Sequence, residues 1–114
     1  MTQPGPVPGA SEVLAASPTA LLLINPDLFV ESVNGAAEIL INRSAANLIG
    51  KPLGNAINVP ASFDPAAEGA FAAYDVAIST PRGVSFRADL LITPMPESAG
   101  WRLVSLQAGA AAYR

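Results

Sequence analysis

The chain contains neither cysteine nor histidine. Without cysteine it can form no disulfide and no thiolate metal site. Without histidine it lacks the commonest metal ligand and the usual general base. Nucleophiles activated by histidine are therefore ruled out, and catalysis would have to depend on carboxylates alone. We predict that the chain is not an enzyme, and a small α+β enzyme that uses only carboxylates is the alternative left open.

Charge and long apolar segments are also scarce. Charged residues make up 13% of the chain, apolar residues 51%, and the formal net charge is −3. A mildly acidic chain without a basic cluster disfavours nucleic acid and anionic membrane surfaces as partners. Apolar runs are short, such as Ala20 to Ile24, whereas a membrane-spanning helix needs about 20 residues. The N-terminus lacks a basic region before an apolar one, so it does not resemble a signal peptide.

The sequence of the first quarter of the chain predicts a leader, a short helix and a β-hairpin. Residues 1–10 are rich in proline and glycine, which indicates a flexible leader. Ser11 to Ser17 is a candidate short helix with Ser11 as its N-cap. Thr19 to Ile24 and Phe29 to Val33 are predicted strands, because the Asn25-Pro26-Asp27 segment between them has the composition of a turn.

Two short helices are predicted next. Asn34 is positioned as the N-cap of a helix over Gly35 to Ile41, and Asn42 can adopt the left-handed conformation that ends it. Ser44 is in the same way positioned to open a helix over Ala45 to Ile49. As an N-cap, Asn34 has a structural role that we favour over the alternative of hydrogen bonding to a ligand.

The remaining half combines one more predicted helix with three strands. Asp64 to Ala73 is rich in alanine and starts with Asp-Pro, which is typical of a helix start. Tyr74 to Ser79 and Val84 to Thr93 alternate with a two-residue period, and Trp101 to Gln107 is the last predicted strand. Strands in two groups with helices between them predict an α+β fold, with an antiparallel sheet covered on one face.

Two motifs resemble those of PAS domains. The helix segment follows the N-P-A-A-E-x-L-L-G pattern of that family at Asn34, Ala36, Ala37, Glu38 and Leu40, with Ile41 for the second leucine. Leu48 to Leu53, LIGKPL, is similar to the segment that follows in the family. Gly35 and Asn42 depart from the pattern, where proline and glycine are usual. The resemblance covers about residues 12–108 and implies a PAS fold, with a five-stranded antiparallel sheet, short helices on one face and an N-terminal helix.

Within the PAS family, the chain is most similar to the sensor domain of nitrogen-regulation (NtrB-type) histidine kinases. The short leader after Met1, the compact region before the third strand and the segment RADLLITPMPESAGWRLVSLQ carry that similarity. The resemblance implies a cytoplasmic two-component sensor kinase whose PAS domain occupies residues 11–108. Residues 109–114 would begin a linker helix towards a kinase core in cis, which this chain lacks. The full-length protein would then be a histidine kinase.

PAS domains often hold cofactors in a pocket between helices and sheet. Haem is usually held by histidine and a cysteinyl flavin needs cysteine, so we expect neither here. A non-covalent flavin or a small metabolite is the alternative, in a pocket that would be lined by five residues. These are Leu40, Phe71, Phe86, Ala88 and Leu90. We favour the interpretation that the same residues fill a close-packed core and that no cofactor is bound.

A second group of apolar residues is predicted to leave the core. Five residues would together form an apolar surface large enough to need a partner. These are Val13, Leu14, Leu91, Trp101 and Leu103. Either the N-terminal helix of the same chain or a second copy would cover this surface. Because PAS domains of histidine kinases commonly dimerise in this way, the resemblance implies a homodimer.

Overall fold

The computed structural model describes residues 9 to 108 and contains one antiparallel sheet in the order β2-β1-β5-β4-β3. The strands are β1 Ala20–Ile24, β2 Val30–Val33, β3 Phe71–Ser79, β4 Ser85–Pro94 and β5 Arg102–Ala108. The helices are α1 Ala10–Ala16, α2 Gly35–Ile41, α3 Ala45–Leu48 and α4 Leu53–Ala56. The predicted α+β architecture, a five-stranded antiparallel sheet with short helices, is therefore confirmed.

The core lies between one face of this sheet and helices α2 to α4. Alternate strand residues point to this face, since successive side chains of a strand lie on opposite sides. The fully or nearly fully buried strand residues are Ala20, Leu22, Ile24, Val30, Ile78, Ala88, Leu90, Ile92, Val104 and Leu106. The helices contribute Ala37 and Ile41 from α2, Leu48 from α3, and Leu53 and Ala56 from α4. The two-residue period thus locates the buried face of β4 as predicted.

The turn between β1 and β2 is built around Asn25. Its side-chain oxygen accepts hydrogen bonds from the backbone nitrogens of Asp27 and Phe29, both at 3.0 Å. This is the turn chemistry that the Asn-Pro-Asp sequence predicts. Phe29 itself lies just outside β2 and forms an isolated bridge with Pro52.

Helix α2 has the caps that its sequence predicts. Asn34 is the N-cap, and its side chain accepts a 3.0 Å hydrogen bond from the backbone nitrogen of Ala37. Asn42 is the C-cap, with φ of 61° in the left-handed region. Ser44 occupies the N-cap position of α3, but its side chain makes no capping hydrogen bond.

The predicted helix over residues 64–73 is wrong. Asp64 instead forms a turn, since its backbone oxygen accepts from the nitrogen of Ala67 at 3.0 Å and its side chain accepts from Ala66 at 2.9 Å. Phe71, which lies within the predicted helix, is instead the first residue of β3 and lies opposite Ile92 in β4. Pairing with β4 and burial on the sheet therefore override the helix propensity of the alanine-rich sequence.

Strand β3 also departs from simple alternation. Its register with β4 shifts between Ala73 and Val76, and Asp75 within this bulge has φ of 50°. A bulge inserts an extra residue and changes which side chains share a face. Tyr74 is consequently exposed, whereas the two-residue period had grouped it with Val76 and Ile78.

The N-terminal helix begins earlier than predicted. Its N-cap is Gly9 rather than Ser11, and residue 10 belongs to the helix rather than to the leader. The helix ends before Ser17, whose extended backbone is the conformation expected immediately before a proline. The rest of the predicted leader, residues 1–8, and the predicted linker helix, residues 109–114, lie outside the described residues.

Candidate functional site

The outer face of the sheet, opposite the helices, carries a row of leucines from its three central strands. Leu103 in β5 lies between Leu23 in β1 and Thr93 in β4. Ser105 lies in the same way between Leu21 and Leu91. We define the outer face by the four leucines of this row: Leu21, Leu23, Leu91 and Leu103.

These four leucines are half-buried, and none belongs to the core cluster or to the apolar residues packed against it. The structure thus brings together Leu91 and Leu103, two of the five residues predicted to form an apolar surface. Leu21 and Leu23 were not among the predicted surface residues, although the burial of β1 alternates along the strand as expected for a sheet covered on one face. An all-apolar strand such as ALLLI hides this alternation, because both of its faces read as core.

The other three predicted surface residues lie outside the strands. Trp101 is half-buried and immediately precedes β5, where its backbone oxygen accepts a 2.9 Å hydrogen bond from the Met95 nitrogen. Val13 and Leu14 belong to α1, where Val13 is 59% exposed and Leu14 is half-buried. Helix α1 therefore leaves a large apolar side chain in solvent.

A cleft of about 660 Å³ lies between α2, the starts of β1 and β4 and the end of β5. Leu40 and Phe86 line it, with Ile39 at its rim exposed by 83%. Thr19, Ser85 and Gln107 are the polar residues of its lining. The cleft is therefore mostly apolar, with a few hydrogen-bonding groups, which is the composition of small-molecule sites in general.

The five predicted pocket residues do not line one cavity. Leu40 and Phe86 line the cleft, whereas Ala88 and Leu90 are completely buried in the core. Phe71 packs elsewhere, with its ring edge-to-face against Phe63 at a centroid distance of 5.5 Å. Of the β4 residues predicted as pocket lining, Ala88 and Leu90 thus fill the core, and Phe86 lines the cleft.

A second cavity of about 470 Å³ lies between the β1–β2 turn, α4 and the segment that follows α4. Leu28 and Leu53 line one side, and Val59 and Phe63 line the other. Asp27 is the one ionisable residue in this lining. No local sequence pattern indicates this cavity, because its walls come from segments that are separated along the chain.

One ion pair is present among residues 9–108. The Arg87 side chain donates to the Asp75 carboxylate at 2.8 Å and also to the Asp75 backbone oxygen. The hydrogen bond and the charge of Arg87 lower the pKa of the Asp75 carboxyl below its ordinary value. Asp89 completes the arrangement by accepting a 2.9 Å hydrogen bond from the Asp75 nitrogen. The group is exposed and supports the bulge of β3 rather than a reactive centre.

The described part of the chain holds no cluster of three or more acidic residues that could bind a metal ion. Among these residues, no helix is long and apolar enough to cross a membrane. The outer face, the cleft and the second cavity are the candidate sites that we consider among the described residues.

An antiparallel five-stranded sheet with short helices on one face and a long connection before the third strand defines a class of small α+β domains. No family model and no curated protein matches the sequence. Solved structures do match. The PAS domain of nitrogen regulation protein NR(II) from Vibrio parahaemolyticus is 21% identical, with a TM-score of 0.70, over 87% of this chain and 96% of that chain.

Two further solved structures are similar. A PAS domain from Colwellia psychrerythraea is 14% identical, with a TM-score of 0.72, over 91% of this chain and 95% of that chain. The PAS domain, in complex with ethanol, of a LuxR-family transcriptional regulator from Burkholderia thailandensis is 14% identical, with a TM-score of 0.65, over 88% and 96%. The chain therefore has the PAS fold, as its two sequence motifs predict.

Proposed function

We propose that the chain is the sensor and dimerisation module of a cytoplasmic histidine kinase of the nitrogen-regulation type. The observation that carries this proposal is the outer face, where Leu21, Leu23, Leu91 and Leu103 form an apolar row that the core does not use. Similarity of fold to the NR(II) PAS domain supports the kinase type. In this proposal the chain itself is not catalytic, and a kinase core would follow in cis.

The sheet topology suggests how a signal would leave the domain. Strand β5 is the central strand and pairs with both β1 and β4. It is also the last element of the described chain, so residues 109–114 continue directly from it. A change in packing on the outer face would therefore shift β5 and be passed to the helix that we propose to follow. Paired helices with two alternative packings are a common switching element.

The test is a charged substitution on the outer face. Leu103→Glu places a carboxylate between Leu23 and Thr93, where a second copy would have to desolvate it. We expect the dimer dissociation constant to rise at least about tenfold, equivalent to about 1.4 kcal/mol. Sedimentation velocity over a range of concentrations measures it, and thermal unfolding checks that the domain stays folded.

Ile39→Glu is the matched control, because Ile39 is 83% exposed and belongs to α2, on the helical side of the sheet. It should leave the association constant unchanged. A dimer that Leu103→Glu does not weaken, or that Ile39→Glu weakens equally, would exclude the outer face as the interface. A wild-type chain that stays monomeric at all concentrations would exclude the dimerisation function.

The second candidate function is that of a ligand-binding PAS domain holding a non-covalent flavin or a small metabolite. The cleft of about 660 Å³ lined by Leu40 and Phe86 favours it. Native mass spectrometry of the purified chain distinguishes the two candidates. A reproducible additional mass would support a ligand, and an absorbance band beyond the tryptophan and tyrosine region would identify a flavin. A dimer without additional mass would support the first candidate, in which the chain holds no cofactor.

A further inference from the structure

Residues 57–70 form a long connection between α4 and β3 that contains turns but no helix or strand. We call residues 59–70 the strap. Connections longer than about 12 to 15 residues without secondary structure are uncommon in compact domains and usually have a function. The strap provides one wall of the 470 Å³ cavity, through Val59, Pro60, Phe63 and Pro65.

The strap has few hydrogen bonds to the rest of the protein. Those of its backbone are internal turns, from Phe63 to Pro60 and from Ala67 to Asp64, both at 3.0 Å. Within residues 9–108, the hydrogen bonds that join the strap to other elements come from Arg102, which reaches the Pro65 oxygen at 2.5 Å and the Ala67 oxygen at 3.5 Å. A segment held in this way is expected to open locally at a low free-energy cost.

Arg102 is placed for this contact by the sheet. It is the first residue of β5, and alternation puts it on the same face as Val104 and Leu106, which are buried under the helices. Its guanidinium also lies over the Phe63 ring, 5.6 Å from the ring centroid. No carboxylate pairs with Arg102 in the described part of the chain. The Arg102 guanidinium therefore contacts backbone oxygens and the Phe63 ring of the strap rather than a carboxylate.

Phe63 connects this contact to the cavity. Its ring packs edge-to-face against Phe71 at the start of β3, with an interplanar angle of 67°. The same side chain lines the cavity opposite Leu28 and Leu53. The contacts that hold Phe63 in position, with Arg102 and Phe71, therefore also hold this wall of the cavity in position.

We propose that Arg102 is the latch of the strap, and that release of this latch opens the strap as a local unit and widens the 470 Å³ cavity. The opening breaks no backbone hydrogen bond of the sheet, because the strap is bonded to one β5 side chain, but it separates the Phe63 ring from Phe71. This device goes beyond the proposed sensor function and does not depend on dimerisation or on a kinase core.

Amide hydrogen exchange followed by NMR tests the latch. In Arg102→Ala, the amides of Phe63 and Ala67 should exchange at least about tenfold faster, equivalent to about 1.4 kcal/mol of lost local stability. The amides of Val104 and Leu22, in the centre of the sheet, should keep their wild-type rates. Arg102→Lys should accelerate strap exchange as well, since lysine keeps the charge but not the planar fork that bonds and stacks at once.

Arg87→Ala is the matched control. Arg87 is also a strand arginine that bonds a backbone oxygen, but its partner is Asp75 in β3. It should leave strap exchange unchanged. Wild-type strap rates in both Arg102 variants would overturn the proposal. So would an equal acceleration of Val104, Leu22 and the strap, because Arg102 would then support the whole sheet rather than a local latch.

Discussion

The Asn34 side-chain nitrogen donates a 2.7 Å hydrogen bond to the backbone oxygen of Thr19, which joins the start of α2 to the start of β1. The same nitrogen reaches the Ser17 oxygen at 3.3 Å, and the side-chain oxygen accepts from the nitrogens of Leu21 and Ala37. Asn34 is 2% exposed, its bond with Ala37 is buried, and its other side-chain bonds are partly buried. One side chain thus connects the end of α1, the first strand and the first core helix.

Asn34→Ala should therefore lower the free energy of unfolding by more than the loss of an ordinary helix cap does. A lost N-cap is worth about 1 kcal/mol, and the buried backbone groups left without partners add about 1 to 3 kcal/mol. We expect the free energy of unfolding to fall by about 3 kcal/mol in urea denaturation. Ser44→Ala is the control at the N-cap of α3, where the side chain makes no capping bond. Equal losses in the two variants would show that Asn34 acts only as a cap.

This residue also shows what the sequence could and could not predict. The cap role of Asn34 follows from its position before an apolar-periodic segment, because it depends only on neighbours in the chain. Its bonds to Ser17 and Thr19 depend on where β1 is placed, so no local pattern predicts them. The hydrogen bond from Arg102 to Pro65 links residues still further apart along the chain. The prediction of a helix over residues 64–73 was wrong for the same reason, because contacts between distant residues determine the conformation of this segment. In residues 71–73, pairing with strand β4 outweighs the helix propensity of the local sequence.

The outer face and the cavities illustrate the same distinction. The two-residue period of β4 predicts that Leu91 lies opposite its buried residues, and Leu91 indeed joins Leu103 on the outer face through the register of β4 with β5. The predicted pocket residues were chosen from single elements. Which of them meet depends on how α2 crosses the sheet, and only Leu40 and Phe86 share the cleft.

Gly100→Ala should destabilise the domain through both backbone strain and a steric clash. Gly100 has φ of 83°, and an added Cβ would lie 2.9 Å from Cβ and 3.0 Å from Cγ of Pro26. The left-handed conformation alone costs a non-glycine residue about 1 to 2 kcal/mol. We expect a loss of about 2 kcal/mol or more, measured as the free energy of unfolding in urea.

Gly50→Ala separates these two effects. Gly50 has φ of 84°, but an added Cβ would meet no atom within 4 Å. The free energy of unfolding of Gly50→Ala should therefore fall by only about 1 kcal/mol, from the backbone conformation alone. If the two alanine variants were equally stable, the packing of Gly100 against Pro26 would have no energetic role.

The Asp75–Arg87 pair should show a defined pH dependence. Arg87 lowers the pKa of the Asp75 carboxyl in the folded state. A carboxyl with a lowered pKa contributes stability above the ordinary aspartate value, and this contribution disappears as the pH falls through the lowered pKa. Arg87→Met should raise the Asp75 pKa towards its ordinary value, as measured by NMR titration of the carboxyl carbon.

The wild type should accordingly lose its stability advantage over Arg87→Met as the pH falls below the ordinary aspartate value. Arg82→Met, in the turn between β3 and β4, is the control and should leave the Asp75 titration unchanged. An Asp75 midpoint that is the same in the wild type and in Arg87→Met would show that the ion pair is not maintained in solution. A small effect on stability is expected, because exposed ion pairs contribute little.

Asn58 should protect the free edge of β3 from pairing with another chain. Strand β3 is at the edge of the sheet, and unpaired strand edges are sites of aggregation. At its end, the Asn58 nitrogen donates to the Ser79 oxygen at 2.9 Å, and the Asn58 side-chain oxygen accepts from the Ser79 nitrogen at 2.5 Å. Asn58 thus bonds Ser79 as a residue of a neighbouring strand would.

Asn58→Ala removes the side-chain part of this pairing and leaves the Ser79 amide free. We expect aggregation to increase several-fold with concentration, measured by light scattering in the Leu103→Glu background, where the proposed dimer is suppressed. Asn47→Ala is the control, because the Asn47 side chain is also exposed and bonded, but to Ser44 in the α3 region. Adding Ala77→Lys to Asn58→Ala should restore solubility, since a lysine on an edge strand disfavours pairing with a second strand. Equal scattering from the Asn58 and Asn47 variants would mean that the bulge at Asp75 is sufficient to protect this edge.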